Sequence, residues 1–266
     1  MKNFLLEKIF QKIVNPKKIF HIAAGVLLFL ALCYAFYAGI TVNSAVVQTK
    51  ERKLPIYSVE TDEKVVALTF NCAWNIDDLD SILDTLKKNK IKASFFMTGE
   101  WVDNYPEAVN KIAGAGHDLA SHGDTHAHMN QLSAEGCREE INGVHKKVFE
   151  LTGVEMDLFR PPYGEYNNAV IETAQSCGYY PIQWEIDSLD WKNYGVEAMT
   201  ERVVESDKLA NGAIILMHNG TQYTAIALQG IIDGLENKGY DFVPVSELII
   251  RQNYTIDHTG RQIREK

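Results

Sequence analysis

The sequence predicts an α/β fold: an irregular, incomplete (β/α) barrel of about seven units, preceded by one N-terminal transmembrane helix. Three observations carry this reading. From Lys64 to Ile250, β-rich apolar runs alternate with segments whose apolar residues recur at helical spacing, the pattern of parallel strands joined by crossover helices. The alternation stops short of the eight units of a full barrel. Ahead of it, Ile19–Ile40 carries no charge.

In chain order, residues 1–18 form a basic tail in which Lys2, Lys8, Lys12, Lys17 and Lys18 stand against Glu7 alone. The uncharged run 19–40, interrupted only by His21, spans about 33 Å as a helix, enough for a bilayer core. Basic residues precede it, so the tail is expected in the cytoplasm and the remainder outside, as a single-pass protein of the cell membrane. A cleavable signal peptide has the same polarity. Its apolar stretch is usually about 7–15 residues, however, and Ala38, Ser44 and Ala45 make a weak cleavage site. Residues 41–62, with Pro55 and several charges, read as a polar stalk.

The body, residues 63–250, opens on the strand Val65–Phe70 and the helix Asp77–Lys88, where Leu79, Ile82, Leu83 and Leu86 share one face. The strand Ala93–Met97 leads to a helix starting near Pro106, a residue suited to a first turn, and ended by Gly114 and Gly116. Asp118–Ala120 is a short strand. The helix Ser133–Leu151 has Ser133 as its N-cap and Gly153 beyond its end. Leu158–Phe159, the helix Asn168–Cys177, the strand Tyr180–Trp184, the helix Val196–Ala210, the strand Ala213–Met217 and the helix Ala225–Lys238 continue the alternation. Tyr240–Val243 and Ser246–Ile250 close it, and 251–266 reads as a peripheral polar tail.

With 266 residues, 46% of them hydrophobic, the chain can bury one sizeable core or two small ones. The net charge of −9 is unevenly placed: outside 1–18, 21 basic residues face 34 acidic ones, a net −13. That balance excludes nucleic acid as a partner, since phosphate neutralisation needs lysine and arginine. Cys33, Cys72, Cys137 and Cys177 show no paired spacing, hence neither a disulfide framework nor a thiolate zinc site.

Chemistry-bearing residues fall where strands end, the face on which a barrel builds its site: Asn71, His122, Arg160, Asp187 and His218. His122 and His126, at i and i+4, suit either one metal ion or a solvated polar loop; a metal needs a third, oxygen ligand, for which Asp77 and Asp78 are available. Arg160 in Phe159-Arg160-Pro161-Pro162-Tyr163-Gly164 sits on a rigid turn and is able to clamp a carboxylate or amide oxygen. Asp187-Ser188-Leu189-Asp190-Trp191 pairs acids with an aromatic, fit for tuning a histidine and stacking a sugar. Leu216-Met217-His218 ends an apolar strand on a histidine.

Together these motifs, in this order, resemble the NodB-like polysaccharide deacetylases, carbohydrate esterase family four, over about Lys64–Ile250. His122 and His126 match the family's metal-binding histidines, Arg160 its third motif, Asp190-Trp191 its fourth and Leu216-Met217-His218 its fifth. The first motif departs. Where the family reads Thr-Phe-Asp-Asp-Gly, with one Asp as base and the next on the metal, this chain has Thr69-Phe70-Asn71-Cys72-Ala73-Trp74. The run is closer to sporulation-type and clostridial-type members, and by that comparison Asp78 replaces the missing ligand, with Asp77 in reserve. Gly123 also stands where Ser or Thr is usual.

The resemblance implies a divalent metal, zinc by preference, held by Asp78, His122 and His126. His218 would be the general acid held by Asp190, Arg160 would orient the base position, and Tyr163, Trp191 and Leu216 would contact substrate. The implied reaction is removal of N-acetyl groups from cell-wall glycan, peptidoglycan by preference. Because Asn71 cannot accept a proton, the expected activity is weak, and the alternative is a glycan-binding pseudoenzyme at the cell surface.

Overall fold

A computed structural model describes residues 16–43 and 51–265, and the chain divides into two units, 1–51 and 52–266. The described part of the first is the helix Pro16–Asn43. Apolar all round, with Phe20, Leu27, Phe29, Leu32 and Phe36 exposed, it is long and apolar enough over Lys17–Tyr37 to cross a membrane. It runs into what the sequence suggested as stalk. Lys2, Lys8, Lys12, Ser44 and Ala45 lie outside the described residues.

The second unit is built on eleven strands: β1 (Ser58–Val59), β2 (Val65–Cys72), β3 (Ser94–Met97), β4 (Asp118–Ser121), β5 (Leu158–Phe159), β6 (Tyr180–Pro181), β7 (Ile186–Asp187), β8 (Ala213–His218), β9 (Asp241–Phe242), β10 (Tyr254–Ile256) and β11 (Arg261–Arg264). The parallel order β8-β2-β3-β4-β5-β6 forms the wall. The chain from β6 to β7 then leaves β5 and reaches β8, pairing Ile186 with Ile215 and Asp187 with Leu216. Sequence alone suggested one strand over Tyr180–Trp184; it breaks because its two ends serve different neighbours. In the gap, Ile56 bridges Ile182 and Ser58 pairs with Ala213. The expected irregular barrel is therefore closed in part by residues assigned to the stalk, which correct that boundary. The tail is corrected likewise. β10 and β11 form a hairpin, β11 pairs with β1, and buried Gln262 caps Ile250 through both its backbone groups.

Strand parity sorts the core. In β2, Val66, Leu68, Phe70 and Cys72 join the large apolar cluster beneath the helices, whereas Val65 and Ala67 join the smaller interior cluster. Successive side chains must point to opposite faces. Asn71 therefore faces the barrel interior and Cys72 the helix layer. β8 obeys the same rule, with Ile215 and Met217 under the helices and Ile214 inside, so Leu216 and His218 look into the barrel. A further helix, Gly99–Asn104, starts directly after β3 behind the N-cap Thr98, whose side chain accepts from Trp101 N. The helix beginning at Val196 ends at Val204, short of the expected Ala210.

Candidate active site

The functional side chains lie at the C-terminal ends of strands or just beyond them, where the hydrogen-bond ladder runs one residue further and fixes the backbone. His122 N donates to Met97 O, Arg160 N to Ser121 O, Asn219 N to Asn71 O and Ser188 N to Leu216 O, at 2.8, 2.8, 3.1 and 3.1 Å. Asn71 and His218 are register partners across β2 and β8. The result is a cavity of about 650 Å³ at the C-terminal ends of the strands, with Asn71, His122, His126, Asp187, Leu216 and His218 among its lining. Trp74, Tyr163, Trp184 and Trp191 also border it. Three of them, Trp74, Tyr163 and Trp191, are about half exposed, leaving flat aromatic faces in water beside a polar floor, the surface on which sugar rings stack.

The structure brings together His218 and Asp190, the pair expected as general acid and its holder. His218 Nδ1 lies 2.8 Å from Asp190 Oδ1, so Nδ1–H donates to the carboxylate and Nε2 is the atom left for the cavity. Asp190, buried, also accepts from His218 N at 2.6 Å and from Thr224 Oγ1 at 2.7 Å. Trp74 stacks over the imidazole, ring centroids 5.1 Å apart. Thr224 escaped the sequence reading, and Trp74 entered it only as part of the run that follows Phe70. Thr224 opens the helix that follows His218 but meets Asp190, 34 residues earlier in the chain, a contact that no local pattern marks.

The base half is different. Arg160 is wholly buried. Its Nη1 donates to Asn71 Oδ1 at 2.9 Å and Thr69 Oγ1 at 3.0 Å, and its Nη2 to Gln183 O at 3.1 Å. Nε has no partner among the described residues. The Phe96 ring lies 4.0 Å away. With no carboxylate in contact, burial pulls the guanidinium down to about 9, opposed by the field of Asp187. An asparagine thus occupies the place where a carboxylate would be held by this cation.

His122 donates from Nδ1 to Arg160 O at 2.7 Å, which leaves the Nε2 lone pair free. Burial, then the neighbouring His126, hold its pKa well below that of a free imidazole; burial lowers His126 as well. The rings are 5.0 Å apart. Between them the loop is held by buried Glu140, which accepts from Thr125 N at 2.9 Å and Thr125 Oγ1 at 2.6 Å. Gly123 has φ +79°, and a Cβ there would meet Glu140 Oε2 at 3.0 Å and Pro162 Cγ at 3.3 Å. The glycine is therefore the residue this turn requires in place of Ser or Thr. His126 and Tyr163, both bordering the cavity, are non-glycine residues at positive φ.

The metal set expected from the sequence is not assembled. Asp78 Oδ1 accepts from Gly220 N at 2.6 Å. Burial raises its pKa, against the lowering effect of that N–H. Neither Asp78 nor exposed Asp77 lines the cavity. Cys72 is directed by strand parity into the core, where burial pushes its thiol up. Among the described residues no three His, Cys, Asp or Glu side chains are gathered closely enough to hold an ion. Two imidazoles with usable lone pairs are short of the three protein ligands of a catalytic zinc centre. As placed here these donors do not converge on one point, although Asp78 Oδ2 is buried without a partner among the described residues.

Comparison with known proteins agrees with this architecture. A family model described as polysaccharide deacetylase matches residues 58–182. The peptidoglycan-N-acetylglucosamine deacetylase of Bacillus cereus is 37% identical over 199 residues, covering 73% of this chain and 92% of that one. Bacillus subtilis YlxY is 34% identical over 73% of this chain, which spans 60% of that protein's length. Among solved structures, wild-type BA3943 from Bacillus anthracis, described as a CE4 family pseudoenzyme, superposes with a TM-score of 0.71 at 30% identity, covering 79% of this chain and 73% of that one. A mutant of it described as having restored enzymatic activity gives 0.70 at 33% identity, covering 73% and 70%.

Proposed function

The chain belongs to the polysaccharide deacetylase family, and from that membership we propose that it acts on the N-acetyl groups of cell-wall glycan, peptidoglycan by preference, with slow turnover. The observation that carries the reading is the contrast between the two halves of the cavity. His218, with Asp190 behind it at 2.8 Å, is set to protonate a departing amine. Opposite, Arg160 meets Asn71, which orients water through its amide but takes no proton. Trp191, Tyr163 and Leu216 provide stacking and apolar contact for the sugar and its acetyl methyl. No step is assigned to a metal, because the donor set is incomplete. The helix Pro16–Asn43 serves as a membrane anchor in this reading, with the body facing the wall.

A second reading, a glycan-binding protein without turnover, is favoured by Asn71 itself and by the likeness to a CE4 family pseudoenzyme. Acetate release from N-acetylated glycan oligomers separates the two, with wild type and His218→Ala compared and glycan binding measured in parallel. Slow release abolished by His218→Ala, with binding retained, supports the first. Binding with no release by either protein supports the second, and absence of both overturns the glycan assignment.

A further inference from the structure

The barrel's other end, at the N-terminal ends of β3 and β4, has a cavity of about 540 Å³ bordered by Lys87, Lys90, Ile91, Lys92, Ala115 and His117. We infer that it is a second binding site, independent of the glycan cleft, for a phosphate group held by Lys87, Lys90 and the Nε2–H of His117.

The imidazole is the decisive observation. His117 is only 8% exposed, and its Nδ1 accepts from Ala93 N at 3.2 Å. An accepting Nδ1 carries no proton, so Nε2 carries it. Burial, then the charge of Lys92, lower the pKa of the ring to about 4, and the tautomer therefore persists at neutral pH. Nε2–H makes no hydrogen bond with the described residues and is not among their fully buried unpartnered atoms, so it stands open to the cavity. A fixed donor on the wall of a cavity that lysines also border complements an anion and repels a cation.

The lysines add to this. Positions 87–92 hold Lys87, Lys88, Lys90 and Lys92, although the chain beyond residue 18 is strongly acidic. Two of them are engaged: Lys88 with Gln229 Oε1 at 3.3 Å, and Lys92 with Ala115 O. Lys87 and Lys90 have no ion pair among the described residues. Lysines in a last helical turn offset the helix dipole, which accounts for Lys87 and Lys88 at the end of Leu79–Lys88. It does not account for Lys90, a lysine beyond the helix at φ +59°, where glycine or asparagine is the relaxed choice. Separate ammonium groups bind as point charges, and no arginine fork lines the cavity. That combination suits tetrahedral phosphate better than a planar carboxylate.

The test is calorimetric titration of the detergent-solubilised full chain, at constant ionic strength set with chloride, using inorganic phosphate and glycerophosphoglycerol. Saturable binding of at least one is expected. Binding of phosphate alone assigns a free anion, and binding of the diester assigns an esterified one. The double variant Lys87→Ala/Lys90→Ala should weaken it roughly tenfold or more, the usual loss for charge-assisted bonds. His117→Asn preserves an acceptor for Ala93 N but removes the Nε2–H, so it should weaken binding while circular dichroism and Tm confirm the fold. No saturable binding of either probe, or affinity unchanged in both folded variants, overturns the inference.

Discussion

Arg160 is a wholly buried cation satisfied by an amide oxygen, a hydroxyl and a carbonyl. Burial, with no carboxylate in contact to offset it, is the origin of its lowered pKa. Histidines show the same physics with a measurable consequence. His117 and His122 are both held neutral by burial. A group with a depressed folded pKa contributes stability that is present above its unfolded value, near 6.5, and lost as pH falls through the folded value. For His117 that window runs from 6.5 down to about 4. Urea denaturation of wild type should therefore show stability falling across it, and His117→Asn should lose less over the same interval; equal losses would contradict the assignment. At this scale the sequence exposed most of the site. Asn71, Arg160, His122, His126, Asp190 and His218 were all legible because each follows a strand-like run. Thr224 and Glu140 were not, because the contacts that make them matter, to Asp190 and Thr125, come from helices distant in sequence.

Among elements, the loop after β2 is where reading and structure part. Asp78 was expected on the metal and instead latches the loop after β8. Its Oδ1 takes Gly220 N, while Asn219 Nδ2 donates to Asn75 O at 2.6 Å. Gly220, at φ +78°, has no room for a Cβ, which would lie 2.8 Å from Asn75 O. The two loops are thus fastened together one residue beyond His218. Asp78→Ala should cost about 1–2 kcal/mol of stability, the scale of a charged hydrogen bond in a half-buried site. It should leave zinc affinity, read by competition with a chromophoric chelator, unchanged. A tenfold loss of affinity would return Asp78 to the metal. The missed elements share one cause. β1, β10 and β11 are short, and Gln262 satisfies Ile250 with its side chain. Pairings fixed by tertiary neighbours leave no period in the sequence. The longer strands were legible because burial on both faces makes β2 and β8 nearly continuous apolar runs.

For the whole molecule, the basic segment 1–18, the uncharged run 19–40 and the acidic remainder give the polarity on which the proposed anchored topology rests. Protease added to intact protoplasts should digest the body and spare the N-terminal tail; a protected body would reverse the proposed topology. The central claim is that the His218–Asp190 half of the cavity is assembled while the half around Arg160 carries an amide where a proton acceptor would stand, and Asn71→Asp addresses it most directly. The two side chains are nearly isosteric, and the new carboxylate would meet Arg160 in place of the amide oxygen now 2.9 Å away. Acetate release from N-acetylated glycan oligomers should then rise by roughly 10²–10⁴-fold, the range of a positioned general base. Adding His218→Ala should abolish the gain. A wild-type rate already equal to that of Asn71→Asp, or a gain that survives loss of His218, would contradict the account.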